Sequence, residues 1–175
     1  MGFDIHGVRP IMNKPLDDTT TYGMIEAIPS HEDRWKMMDN LTKEDKKKYW
    51  NEMDQYHDDN PGLYFRNNVW WWRPLWQFVC DHCEDLMSDS NMRGGTYNDG
   101  HRVDEKTAIN ISDRLFDLID DGTVDKYSKD YEKERKIAEN SDDDDAKYMS
   151  NYPFSTDNVK RFATFCQESG GFDIC

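Results

Sequence analysis

Basic residues are scarce in this chain. Its 175 residues include 36 Asp and Glu but only 22 Lys and Arg, a formal charge of −14. That field opposes approach to a phosphate backbone or an anionic membrane, so generic nucleic-acid binding is disfavoured. It would favour a basic protein partner, and an acidic surface is able to imitate nucleic acid toward one, although solubility alone also accounts for such a charge. Long apolar runs are missing as well: none approaches the roughly 18 residues of a membrane-spanning helix, and the opening residues carry no cationic, apolar, cleavable leader. These signs predict a protein that is neither secreted nor membrane-spanning. A cytoplasmic setting follows, with Cys80, Cys83, Cys166 and Cys175 reduced. The sequence contains no P-loop, dinucleotide fingerprint, nucleophile elbow or His-Glu-x-x-His motif. It also lacks an internal repeat and any linker that would divide it.

Apolar residues make up only 36% of the chain, and the mean hydropathy is −1.02. Aromatics reach 13%, which concentrates burial into fewer, larger side chains. A single domain of this length can bury a core without metals or disulfides. Phe3 and Ile5 alternate with Asp4 and His6, predicting a short strand over Met1 to Gly7. Proline and threonine then mark an extended connection, with a short strand around Met24 to Ala27. Ser30 and Thr42 each cap a helix. The second carries Tyr49, Trp50 and Met53 on one side and Lys46 to Lys48 outward, and the breaker cluster Asp58 to Gly62 ends it.

Leu63 to Val69 reads as a strand, and Pro74 as the first turn of a helix running to about Ser88. Gly94 to His101 is a turn region. Asp104 caps a helix whose stripe runs from Ala108 to Ile119 and which Gly122 terminates. Val124 to Asn140 reads as an exposed charged helix, and residues 141–151 as an acidic loop opened by Ser141 to Asp145. That loop lacks the alternation and glycine turn of a calcium-binding loop. Ser155 caps the last helix, Gly170-Gly171 stops it, and Phe172 to Cys175 returns beside the N-terminal strand. The expected class is α+β, one helix-dominated domain with a small β-sheet, in which residues 13–60 form a helical insertion.

Tyr64 to Trp76 is the densest stretch, holding four of the six tryptophans interleaved with Arg66, Asn67, Asn68 and Arg73. Consecutive Trp70, Trp71 and Trp72 cannot all face one way on either a strand or a helix, so at least one should point away from the main core. Arg and amide groups beside an indole face suit a flat polar or anionic ligand such as a nucleotide, and suit a protein interface equally. Arg66, Asn67, Asn68, Trp70, Trp71, Trp72 and Arg73 are therefore the candidate ligand-binding residues. The bland alternative is an aromatic core with an Asn capping the following helix.

Several motifs together resemble a family of small uncharacterised proteins found largely in bacteriophages and bacteria. They are Met1 to Gly7, Gly62 with Tyr64 to Trp76, Asn98-Asp99-Gly100-His101, Tyr152-Pro153-Phe154-Ser155, Phe165-Cys166, Ser169 to Phe172 and Ile174-Cys175. The resemblance implies a phage or prophage origin and carries no activity with it. Members pass almost directly from the opening strand to the Trp motif, whereas here Asn13 to Asn60 intervenes. Some members carry paired Cys-x-x-Cys knuckles before Tyr-Pro-Phe-Ser; this chain has an acidic stretch there, so a zinc ribbon is not transferred.

Two further constellations are weighed. Cys80 and Cys83, completed by Cys166 and Cys175, would make a four-thiolate zinc site if the last helix folded back. Mid-helix placement favours ordinary buried thiols and no cofactor. Asp4 and His6 with Asp99 and His101 would make a metal or acid–base cluster if the two pairs met. The leading expectation is a phage-encoded cytoplasmic accessory protein that acts by binding a nucleotide-like small molecule or a host protein, in host takeover or counter-defence. The rivals are a metal-assisted hydrolase using Asp4, His6, Asp99 and His101, and an acidic nucleic-acid mimic that inhibits a basic host protein.

Overall fold

The alternation around Phe3 and Ile5 becomes strand β1, Gly2–Gly7, with both apolar side chains buried. The computed structural model describes residues 2–175, and the expected start of β1 at Met1 lies outside them. The other strands are β2 (Tyr64–Asn68), β3 (His101–Val103) and β4 (Phe172–Ile174). They form one sheet in the order β2-β1-β4-β3 with every neighbouring pair antiparallel. Ile5 pairs with Phe65 on one side and Ile174 on the other, so the apolar residues of successive strands share one face. That face closes a core with helices α4 (Val69–Cys83), α6 (Glu105–Asp120) and α9 (Thr156–Glu168). The fold is α+β and helix-dominated, as the sequence predicts. The C-terminal return pairs as expected beside β1. Strand β3 is an addition: three residues following an Asn-Asp-Gly turn are too short for a periodic signal.

The chain folds as two compact units, residues 2–11 with Pro61–Cys175, and Met12–Asn60. In the first, helix α4 starts five residues before Pro74. Asn68 is its cap, its side chain accepting from the Trp71 N–H at 3.1 Å. Pro74 therefore sits inside the helix and denies the Trp70 carbonyl its usual N–H partner, a loss of about 3 kcal/mol in an isolated helix. Burial of Trp72, Leu75, Trp76, Phe78 and Val79 along the same helix outweighs it. The helix ends at Cys83 in a single 3₁₀ turn, Glu84–Leu86, rather than running to Ser88.

Helix α5 (Asp89–Gly94), capped by Ser88, precedes the expected turn region and ends at its first residue, Gly94. Helix α7 (Thr123–Glu139) is the expected charged helix, and Gly122 between it and α6 has φ +81°, the left-handed conformation that ends α6. The expected acidic loop is corrected: Asp143 caps a short helix α8, Asp144–Met149. Carboxylates at a helix N-terminus are stabilised by its unpaired N–H groups, so the charge run nucleates a helix rather than preventing one.

The Met12–Asn60 unit consists of α1 (Thr21–Glu26), α2 (His31–Asn40) and α3 (Lys43–Asp59). Thr20, Ser30 and Thr42 cap them, the last two as predicted. The strand expected around Met24 is instead α1, because the Thr20 hydroxyl accepts from Gly23 N–H and turns the chain. A small core of Tyr22, Ile25 and Tyr49, backed by Leu16, Met38, Leu41, Met53 and Tyr56, joins the three helices.

Phe3, Trp72 and Trp76 stack in series, with centroids 5.3 Å apart at each step and Phe162 edge-on to both indoles. The Trp72 Nε1 donates to Gly95 O at 2.7 Å and the Trp76 Nε1 to Met92 O at 2.9 Å. A Cβ on Gly95 would lie 1.9 Å from the Trp76 ring. Gly95→Ala is expected to cost about 1–3 kcal/mol by overpacking, and Trp72→Ala about 3–5 kcal/mol. Urea unfolding followed by circular dichroism measures both, and a Gly95→Ala midpoint equal to that of the parent would contradict the close approach.

Candidate functional site

The seven residues of the tryptophan segment separate. Trp72 is fully buried in the stack, and Asn67 is buried with its Nδ2 donating to Asn158 Oδ1 at 3.0 Å. Asn68 is occupied in capping α4. Trp72 and Asn67 thus have their polar groups engaged inside the fold, while Asn68 stays exposed and caps α4 through its side-chain oxygen. Arg66 is exposed on β2 with its Nε 3.4 Å from Asp4 Oδ1. Trp71 is half-buried, its carbonyl accepting from Asn158 Nδ2 at 3.5 Å. Trp70 and Arg73, three apart, share the outer side of α4.

Trp70 and Arg73 meet Tyr152 of the Tyr-Pro-Phe-Ser motif and Tyr148, which the sequence did not single out. The Trp70 ring lies 4.7 Å from that of Tyr152 and 5.6 Å from that of Tyr148, while Arg73 Nη1 donates to the Tyr152 hydroxyl at 3.4 Å. Tyr148 is 55% exposed and Met149 is 59% exposed. Met149 also borders a shallow groove of about 170 Å³ against Tyr131, Arg135 and Ala138 of α7. Tyr131 fixes the segment by donating to Tyr152 O at 3.0 Å, and Arg135 by donating to Ser150 O at 3.0 Å. The result is an open aromatic face of Trp, Tyr, Met and Arg, the residue types that dominate protein interfaces. Tyr148 and Met149 were legible only as apolar residues at the end of a charge run.

The pairs Asp4–His6 and Asp99–His101 do not converge. Asp4 and His6 lie on the solvent side of the sheet, in a polar row with Arg66, Tyr64, Asp173 and Arg102. Tyr64 donates to Asp4, and burial with this bond pushes its phenol up. His101 pairs with Ile174 and so projects from the opposite side, its Nε2 3.0 Å from Asn91 Oδ1. Asp99 is exposed in the turn before it. No group of three or more His, Cys, Asp or Glu able to hold a metal occurs among the described residues.

All four thiols are free. Burial pushes Cys80 up to about 11 and Cys83 up to about 12, and raises Cys166 well above its ordinary value. The three are protonated at neutral pH, which suits packing rather than nucleophilic attack. Cys175 is exposed at the far end of β4, and the four do not gather as a zinc set.

Asp173 receives both arms of the Arg102 fork, Nε and Nη2 each at 2.7 Å, and this holds its carboxyl below the usual range. A carboxyl lowered on folding contributes stability above its unfolded value, and loses it as pH falls through the folded one. Arg102→Ala should move the Asp173 carboxyl up toward the usual carboxylate range, read by carbon NMR of its carboxyl; an unmoved titration would show that the fork is not the cause. The chain matches no family model, no curated protein and no solved structure.

Proposed function

We propose that this chain is a binding protein whose partner is a protein with a basic surface, anchored on Trp70, Arg73, Tyr148 and Met149. The observation that carries the reading is the open aromatic face on which Trp70 packs beside Tyr152 and Tyr148 while Tyr148 and Met149 stay exposed. Exposed apolar area of this make-up is costly in water and is relieved by a partner. A protein partner fits better than a nucleotide, because Asn67 and Trp72, which would have completed a nucleotide cradle, are buried in the fold. The charge of −14 would steer a basic partner toward the chain, and the aromatic face would hold it.

The resemblance to phage proteins supports an accessory role in the cytoplasm of a host, in takeover or counter-defence. No helix among the described residues is long and apolar enough to cross a membrane. Asp4 and His6 stand apart from His101, which weighs against the hydrolase reading.

The test is co-purification from host lysate with the parent chain and with the Trp70→Ala/Tyr148→Ala variant, each washed at low and high salt. A protein retained by the parent at both salts and lost from the variant supports the reading. Equal capture by both chains refutes the aromatic anchor, and capture lost only on raising the salt transfers the binding to the acidic surface alone.

A further inference from the structure

In the Met12–Asn60 unit, α1, α2 and α3 line a pocket of about 220 Å³. Trp35 and Trp50 form two of its walls while remaining 57% and 48% exposed, and Tyr49 forms a third. No residue of α2 is fully buried, so the core gives no reason for an indole at position 35. The Trp35 Nε1 donates to His31 Nε2 at 3.0 Å, and the two rings pack edge to face 5.9 Å apart, which fixes the indole in place. The Glu26 carboxylate also lines the pocket, and it accepts from the Tyr49 hydroxyl at 3.1 Å and from Arg34 Nη1 at 2.8 Å. Burial, then Glu26, pushes the Tyr49 phenol up and the Tyr22 phenol to about 12, so both stay protonated against the carboxylate.

We propose that this pocket binds a compact organic cation with a trimethylammonium head, held against the exposed indoles of Trp35 and Trp50 and attracted by Glu26. Aromatic faces attract a cation through the ring quadrupole, most strongly where the cation sheds little hydration. A carboxylate has about four lone-pair positions, and two bonds leave it able to face a second cation. Arg34 Nη1 pairs with Glu26 while its buried Nε has no partner, and the chain carries −14 overall, so the field disfavours an anion. A bare ammonium such as that of Lys is strongly hydrated and needs acceptors for three N–H groups, whereas a methylated one does not. The volume lies below the roughly 300–1,000 Å³ of sites that enclose drug-sized ligands, which suits a head group and not a nucleotide.

Titration calorimetry on the full chain tests this with choline, tetramethylammonium and the neutral isostere of choline, in which a tert-butyl group replaces the trimethylammonium. Saturable millimolar binding of both cations is expected, with the isostere weaker by about tenfold or more. Trp35→Ala and Trp50→Ala should each weaken choline by about tenfold, and Trp35→Phe by less. Trp35 is the decisive position, since its exposure makes loss of the fold on substitution a minor concern, and circular dichroism confirms that each variant is folded. A peptide bearing trimethyl-lysine, compared with choline, tells a protein-borne head group from a free one by which binds tighter. The proposal is overturned if the isostere matches choline, if folded Trp35→Ala binds choline like the parent, or if no cation saturates in the millimolar range.

Discussion

The stack of Phe3, Trp72 and Trp76, with both indole N–H groups bonded to carbonyls at the end of α5, is the constraint on which the larger unit depends. Each ring removes a large apolar area from water, and each would leave a costly buried donor were its carbonyl displaced. Together they dock α4 on β1 and tie α5 with Gly95 beneath it. With Trp72 and Trp76 turned inward, helical geometry sends Trp70 and Arg73 outward. The open face is thus a by-product of the interior: the same three-tryptophan run supplies a core ring and a surface ring because its residues fan around one helix.

Charge is managed in pairs across this surface. Arg66 faces Asp4, Arg102 Asp173, Arg114 Asp85, and Arg135 Glu132. Exposed pairs of this kind contribute little individually, but they spend the donors of the arginines that make them. Arg73 differs, since its bond goes to the neutral hydroxyl of Tyr152. Its guanidinium thus lies beside the aromatic face, in a chain whose formal charge is −14.

Much of this architecture was legible because capping chemistry is local. Ser30, Thr42, Asp104 and Ser155 each mark a helix start that needs no knowledge of the rest of the chain. The binary pattern around Phe3 and Ile5 likewise fixed which side of β1 is buried. Misreadings arose where a strong local signal was overruled by tertiary burial. Pro74 is a first-turn signal, yet Asn68 starts α4 earlier because burying Trp72 requires it. Ser141 to Asp145 resembles a solvated loop, yet Asp143 caps α8 and delivers Tyr148 to Trp70. The candidate site was half legible for the same reason: its α4 side announces itself by composition, while its partners arrive through a helix that the acidic residues concealed. Convergence of Asp4 with His101 depended on strand pairing, and the short β3 gave no periodic cue to its facing.

The two inner strands of the sheet, β1 and β4, come from opposite ends of the described segment and pair directly, with reciprocal bonds between Asp4 and Cys175 at 2.9 and 2.8 Å. During synthesis β1 can pair with β2 once Tyr64–Asn68 has emerged, but its other neighbour, β4, follows only after nearly all the described residues. Vectorial folding on the ribosome therefore cannot complete the sheet early, and pairings of such long sequence separation close slowly. Until then Phe3 and Ile5 lack the β4 side of their enclosure, which makes the nascent chain, rather than the finished protein, the form most exposed to self-association.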